Sequence, residues 1–404
     1  MTMPSLRTAR SRRARLAVVL GIALILGPAA RAQRIPDRLD DATFWRMMTD
    51  YSETWGVFRS ENFVSNETSL QWVIPELQRV VKPGGVYLGV APDQNFTYIA
   101  AVKPGIAFIV DIRHQNAVEH LMYKALIETS NTRAEFLAKL FARPALTGVD
   151  SASTAPALFD ALANVKPDSA IYRSTLQAIK DRLIMTHGFA LSDSELVSLN
   201  CVYGAFFTYG AALSYNHSSD CRNPGPFTFG RGGRPGGGGG GMGGAFGMPS
   251  FLSMMLETDG AAVDRSYLAT EANFRTLRNM EERNLIVPLT GNFAGDKAVR
   301  AAGRYARDHG AIVTTFYLSN VEQYLFQQDD EAQRFYRNVA TLPLDSTSTF
   351  IRSFSGGMYN ASGLELKPQS GRSMQLLSSI LATLKAFDAG ALTSWVEVVR
   401  RSRQ

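Results

Sequence analysis

Cysteine is scarce in this chain: Cys201 and Cys221 are the only two in 404 residues. Neither belongs to a CxxC pair and the five histidines make no HExxH, so no metal site is predicted. In an oxidising compartment a disulfide between the two cysteines would stabilise by roughly 3 kcal/mol if unstrained, and two free thiols are the other reading. No GxSxG elbow occurs. Ser355 precedes Gly356-Gly357, but with Phe354 before it and no clear helix after it the segment reads as a glycine turn, leaving a hydrolase without a nucleophile. A GxxxxGK[ST] phosphate loop is missing as well. The chain also lacks a charge excess once its first 32 residues are set aside. These hold six arginines and no acid, so 36 Lys+Arg face 36 Asp+Glu in the remainder, although the whole chain carries +6. That balance removes the electrostatic support for a nucleic-acid partner.

What is present begins with an export signal over 1–32. Arg7, Arg10, Arg12, Arg13 and Arg15 precede an apolar run over 16–27, which is short for a bilayer span. Ala30-Arg31-Ala32 then offers small residues for cleavage before Gln33. Ser11-Arg12-Arg13 with Leu16 suits the twin-arginine route as well as the general secretory one. The expectation is an exported, periplasmic or extracytoplasmic protein, touching a membrane only through this segment. The alternative is an uncleaved leader that anchors it.

The most informative segment is 84–113, GGVYLGVAPDQNFTYIAAVKPGIAFIVDIR. Its apolar runs, turn and helical stretch read as strand, glycine turn, helix, strand, with Asp111 closing the second strand 22 residues after Gly89. This is close to the spacing of a nucleotide-binding βαβ unit, in which the acid accepts hydrogen bonds from two ribose hydroxyls. The turn, Gly89-Val90-Ala91-Pro92-Asp93, lacks a full GxGxxG. Ala91 would crowd a pyrophosphate, which disfavours a dinucleotide more than a nucleoside without phosphates. For Asp111 the plain alternative is a surface pair with Arg113 or a helix cap.

Further along, 33–149 combines N-terminal helices with the first half of a Rossmann-like domain. From 150 to 282 the strand signal fades into a mostly helical insertion, within which 230–247 has 12 glycines among 18 residues and reads as a flexible loop. Strands return over 284–289, 311–318 and near 349–354, separated by a helix over 296–308. Helices are predicted over 373–387 and 394–401, so 283–404 supplies the second half of the domain. The expected fold is α/β: a Rossmann-like, mostly parallel sheet flanked by helices, with a helical insertion.

In such sheets ligands bind beyond the carboxyl ends of the strands. The residues predicted there are Gly89, Asp93, Gln94, Asn95, Asp111 and Arg113 for cofactor binding. Catalytic residues are not assigned, with Asn292, Asn320 and Glu322 as candidates, and Asn320, Glu322 and Gln323 could bind a second substrate or cap backbone donors. The loop 291–297, GNFAGDK, reads as a helix start capped by polar residues rather than a phosphate loop. His114 and His120 lie nearest the cleft, and Ser65, Asn66 and Glu67 could form a polar lip.

The segments SENFVSNE (60–67), GGVYLGVAPDQNFTYIAAVKP (84–104), AFIVDIRHQN (107–116), NLIVPLTGNFAG (284–295) and GAIVTTFYLSNVEQYL (310–325) together resemble an uncharacterised bacterial protein family. That family is similar to class I S-adenosylmethionine-dependent methyltransferases. The resemblance implies S-adenosylmethionine as cofactor, with the Gly89 turn facing its methionine portion and Asp111 its ribose. Asn292 then stands at the strand end where an acceptor is positioned. The methyl donor is a cytosolic metabolite, so either the fold is kept as a non-catalytic or differently liganded binding protein or the leader is an anchor with the domain facing the cytosol. Two functional readings stand. One is an exported methyltransferase-like protein with a nucleoside-type ligand cleft. The other is a non-catalytic periplasmic binding or interaction protein that keeps the fold.

Overall fold

The computed structural model describes residues 1–2, 34–54, 56, 58, 62–215, 217, 248–355 and 373–403. The chain divides into two units, Met1–Ala32 and Gln33–Gln404, and every strand and helix among the described residues lies in the second. The glycine-rich loop 230–247, Ser60, Glu61 and Cys221 lie outside the described residues.

Runs of four to seven residues, mostly apolar in the first four and mixed with polar residues in the last two, form the strands: β1 (Val86–Gly89), β2 (Ile106–Asp111), β3 (Ile286–Thr290), β4 (Val313–Ser319), β5 (Thr349–Ser355) and β6 (Ser373–Ser379). They make one sheet in the order β3-β2-β1-β4-β5-β6. The first five strands are parallel, and β6 runs antiparallel to β5. Every residue of β1, β2 and β3 is buried, as expected of parallel strands covered by helices on both faces. The sheet is therefore α/β, mixed and mostly parallel, in a Rossmann-like arrangement. From β1 the chain steps outward through β2 and β3 on one side, then crosses to β4 and β5 on the other. This puts the switch point between β1 and β4, at the carboxyl end of Gly89.

The helices are α1 (Asp41–Asp50), α2 (Ile74–Val80), α3 (Gln94–Val102), α4 (His114–Glu128), α5 (Arg133–Leu140), α6 (Ala155–Ala163), α7 (Ser169–Asp181), α8 (Asp193–Tyr209), α9 (Phe251–Met255), α10 (Glu271–Glu282), α11 (Ala298–Asp308), α12 (Val321–Leu325), α13 (Glu331–Val339), α14 (Ile380–Asp388) and α15 (Trp395–Arg400). Side-chain caps set several starts: Asp40 accepts from the Thr43 amide before α1, Thr132 from Glu135 before α5, and Ser192 with Glu195 forms a reciprocal capping box before α8. The α7 helix runs directly into a π-helical turn, Arg182–Thr186. The described residues within 155–255 are helical apart from turns and one isolated bridge between Ser214 and Ser250. Among them, Cys201 is disulfide-bonded.

One predicted element is corrected. The segment 373–387, read as a single helix, is strand β6 followed by α14. Met374, Leu376 and Leu377 are buried beside Ser373, Gln375 and Ser378. Pairing with β5 over its whole length overrides the local helical pattern, since a strand packed on both faces needs no polar-apolar alternation.

Candidate functional site

The switch-point turn is built around Asn95. Its Nδ2 donates to the carbonyls of Val90, Ala91 and Pro92 at 2.8, 3.0 and 2.8 Å, while its Oδ1 accepts from the Tyr87 hydroxyl at 2.9 Å. Glycine at 89 follows from this arrangement, because a Cβ there would lie 2.0 Å from Asn95 Oδ1. The glycine thus makes room for a side chain of its own chain. Ala91 takes φ +69°, a conformation usually left to glycine.

Around this turn lies a buried polar group set on α3 and α4. Asp93 Oδ2 accepts from the Tyr267 hydroxyl at 3.2 Å, and burial pushes the Asp93 carboxyl up to about 7. Gln94 Nε2 donates to the Tyr317 hydroxyl at 3.3 Å. His120 Nε2 contacts the Ala91 carbonyl at 3.1 Å; burial lowers its pKa to about 4, so the ring is neutral with its proton on Nε2. Asp93 Oδ1, Gln94 Oε1, His120 Nδ1 and both amide atoms of Asn116 have no hydrogen-bond partner among the described residues. All four side chains are buried.

Asp111 and Arg113 do pair, but beneath the surface: both side chains are 5% exposed. Asp111 Oδ1 accepts from the Arg113 amide at 2.9 Å and its Nε at 3.0 Å, and Oδ2 accepts from Nη2 at 2.8 Å. Arg113 Nη1 reaches on to the Asn62 carbonyl at 3.2 Å.

The segment leading from α1 crosses the carboxyl ends of these strands. Ser52 Oγ accepts from the Thr290 amide, and the Glu53 amide donates to the Thr290 carbonyl. The Glu53 carboxylate accepts from the amides of Asn292, Lys297 and Ala298 at 3.2, 2.7 and 2.9 Å. The loop 291–297 is thus a capped helix start, as expected, but its cap comes from a residue far away in sequence. Gly295 is tied to that cap, since a Cβ there would meet Glu53 Oε2 at 2.1 Å. Farther along, buried Glu67 accepts from the Tyr317 hydroxyl at 2.7 Å, from Ser319 Oγ, and from Gln375 Nε2 at 3.3 Å. Burial raises its pKa against the lowering effect of those bonds.

The remaining candidates are held elsewhere on the same edge. Asn292 bonds Glu331 at 2.9 Å and closes its own turn onto the Ala294 amide. Asn320 stands before α12 and accepts from Ser319 Oγ at 3.4 Å. Glu322 is buried in an ion pair with Arg352 and accepts from the Tyr336 hydroxyl at 2.6 Å. Ser65 caps the Glu67 amide at 3.1 Å. His114 links two regions, with Nδ1 2.9 Å from Thr290 Oγ1 and Nε2 2.9 Å from Glu195 Oε1. Burial opposes ionisation of Glu195, but the bonds from His114 and Ser192 outweigh it and bring the carboxyl down to about 2.

Sequence reasoning missed Tyr267 and Glu53, and placed Asn116 at a polar strand end without counting it among the binding residues. Tyr267 lies inside the insertion and carries no motif, and Glu53 stands in a polar connector. Asn116 was visible at the end of the AFIVDIRHQN run and carried no spacing signal of its own. Among the described residues no group of three or more His, Cys, Asp or Glu side chains could hold a metal ion.

The family model described as a domain of unknown function, DUF7790, matches residues 62–164 and 248–390, which is more than half of the chain. The chain belongs to that family. The matched residues contain the whole switch-point turn, Asp111, Arg113, Asn116 and Tyr267. No curated protein matches the chain.

Proposed function

For this member of the DUF7790 family, we propose an exported methyltransferase-like protein that binds a nucleoside-type small molecule of the S-adenosylmethionine kind at the carboxyl edge of its sheet, with methyl transfer as the activity to test. One observation carries the reading: Asp93, Gln94 and His120 bury polar atoms without partners at the switch point, and Asn116 does so one turn before His120 on α4. Each such atom costs about 1–3 kcal/mol if left dry. Their concentration at the place where open α/β sheets bind ligands favours a polar occupant. The Asn116 amide offers a donor and an acceptor side by side, which matches a heterocyclic base edge. Asp93, largely protonated below pH 7, can donate as well as accept. For Asp111 to receive ribose hydroxyls, Arg113 must release it. Catalysis would consist of holding an acceptor in line with the methyl group and keeping water out. Asn292, Asn320 and Glu322 would then act by position on that edge.

A second reading is a non-catalytic exported binding or interaction protein. It is favoured by the three bonds with which Arg113 saturates Asp111 and by Asn95 filling the face of Gly89. Calorimetry of the whole chain with S-adenosylmethionine, S-adenosylhomocysteine and adenosine tests the nucleoside site on which the first reading depends. Saturable heat is expected, weakened about tenfold or more by Asn116→Ala, the equivalent of losing one or two buried hydrogen bonds. No heat from any of the three with folded protein overturns the nucleoside reading and leaves the second.

A further inference from the structure

At the opposite, amino-terminal edge of the sheet, the residues just before β1, β2, β3 and β4 (Gly84, Gly105, Leu285 and Ala311) border a cleft of about 800 Å³. That is within the size range of small-molecule sites, roughly 300–1,000 Å³. Its rim carries Arg34, Lys103, Arg275 and Arg283, and Asp37 is the one carboxylate among its lining residues. Asp37 is already engaged, 3.5 Å from Arg283 Nη2. Arg34, Lys103 and Arg275 are exposed and make no side-chain hydrogen bond or ion pair with the described residues. Ile35, Pro104 and Met280 give the same cleft an apolar wall.

Cations at this edge have an ordinary explanation, since they face helix carboxyl termini. Lys103, Arg283 and His309 are the C-caps of α3, α10 and α11. Three helix ends contribute about half a negative charge each, or roughly −1.5 together. The Arg283–Asp37 pair is neutral, so the three unpaired cations exceed that demand by about one and a half charges. The excess is available to a ligand.

We propose that this cleft binds an organic phosphate, a phosphoryl group held by Arg34, Lys103 and Arg275 with an apolar body against Ile35, Pro104 and Met280. Guanidinium groups match the paired oxygens of a phosphoryl group, and the flanking apolar surface selects against inorganic anions. This site is separate from the nucleoside site proposed at the carboxyl edge and does not depend on it. The phosphate can belong to a soluble ester or to an anionic phospholipid headgroup.

The test uses the full chain with hexyl phosphate by calorimetry and with phosphatidylglycerol or phosphatidylcholine vesicles by co-sedimentation. Both lining changes, Lys103→Glu and Arg275→Glu, fall on exposed side chains, and Lys166→Glu reverses a charge on an exposed loop outside the cleft. Hexyl phosphate is expected to bind saturably, and each lining change to weaken it about tenfold, the worth of one charge-assisted bond. Lys166→Glu should leave it unchanged. Binding to phosphatidylglycerol but not phosphatidylcholine vesicles, lost in the lining variants, identifies the headgroup as the source; hexyl phosphate binding without vesicle binding identifies a soluble ester. No binding of either probe overturns the proposal. So does binding that all three variants weaken alike, because it reports overall charge.

Discussion

At the carboxyl edge of the sheet, charged and amide side chains are buried and mostly bound to one another, whereas at the amino edge cations stand in solvent with few partners. Asp111 and Arg113 are each 5% exposed and joined by three hydrogen bonds, while Arg34, Lys103 and Arg275 are exposed around a cleft. The difference comes from what covers each edge. The segment after α1 and the last part of the insertion bring Glu53, Asn62, Glu67 and Tyr267 over the carboxyl ends. Nothing comparable among the described residues closes over the amino-edge cleft. Burial converts each carboxyl-edge polar group into a requirement for a partner, so the atoms left without one carry information. An exposed cation implies no such requirement, and its meaning comes from the charge balance around it.

The contrast can be broken most strongly at Arg113. Arg113→Ala strands the buried Asp111 carboxylate and should cost about 3–5 kcal/mol in urea unfolding. Asp111→Leu combined with Arg113→Met should restore much of that loss. A single-variant cost under about 1 kcal/mol would mean that the pair is hydrated like a surface bridge.

Asp93 sharpens the contrast through pH. Its carboxyl titrates near 7 in the fold against an ordinary value of 3.8, so between those values the folded state holds a proton that the unfolded chain has released. Its contribution therefore favours folding at low pH and is lost as pH rises toward 7, with a limiting slope of about 1.4 kcal/mol per pH unit. Asp93→Asn removes this dependence, and its stability relative to wild type should climb by about 2–4 kcal/mol from pH 4 to 7 and then level off. A difference that stays flat with pH would place Asp93 in contact with water.

Gly89→Ala should destabilise by about 1–3 kcal/mol through collision with Asn95, and the Gly89→Ala/Asn95→Ala double variant should cost less than the sum of its parts. Strict additivity in the cycle would separate the glycine from Asn95. The smallest effect is expected at Glu53. Glu53→Gln keeps the shape but removes the charge facing the start of α11, and should cost about 1 kcal/mol in the same urea unfolding.

Much of the frame was legible in the amino-acid order. The runs VYLG, IAFIVD and IVPLT are apolar and short because both faces of a parallel strand are covered, and turn residues bound them. The site was legible as a location more than as chemistry. The turn at Gly89 and the acid at Asp111 stand at the strand ends where they were expected. Gly89, however, makes room for Asn95, and Asp111 is taken up by Arg113. Local pattern also misled over 373–379, where a partner strand decides the conformation.

The sequence by itself determined the strand-turn-helix order, the place of the switch-point turn and the near-neutral charge beyond residue 32. These are properties of neighbouring residues or of simple counts. Only the tertiary structure decided which side chains answer one another: Glu53 with the α11 amides, Tyr267 with Asp93, Glu67 with Tyr317. The partners in each pair lie more than 150 residues apart. Their meeting depends on how the sheet stacks the chain, which no local pattern encodes. The same holds for the cation-lined cleft, whose lining residues come from five separate segments and gather where those segments reach one edge of the sheet.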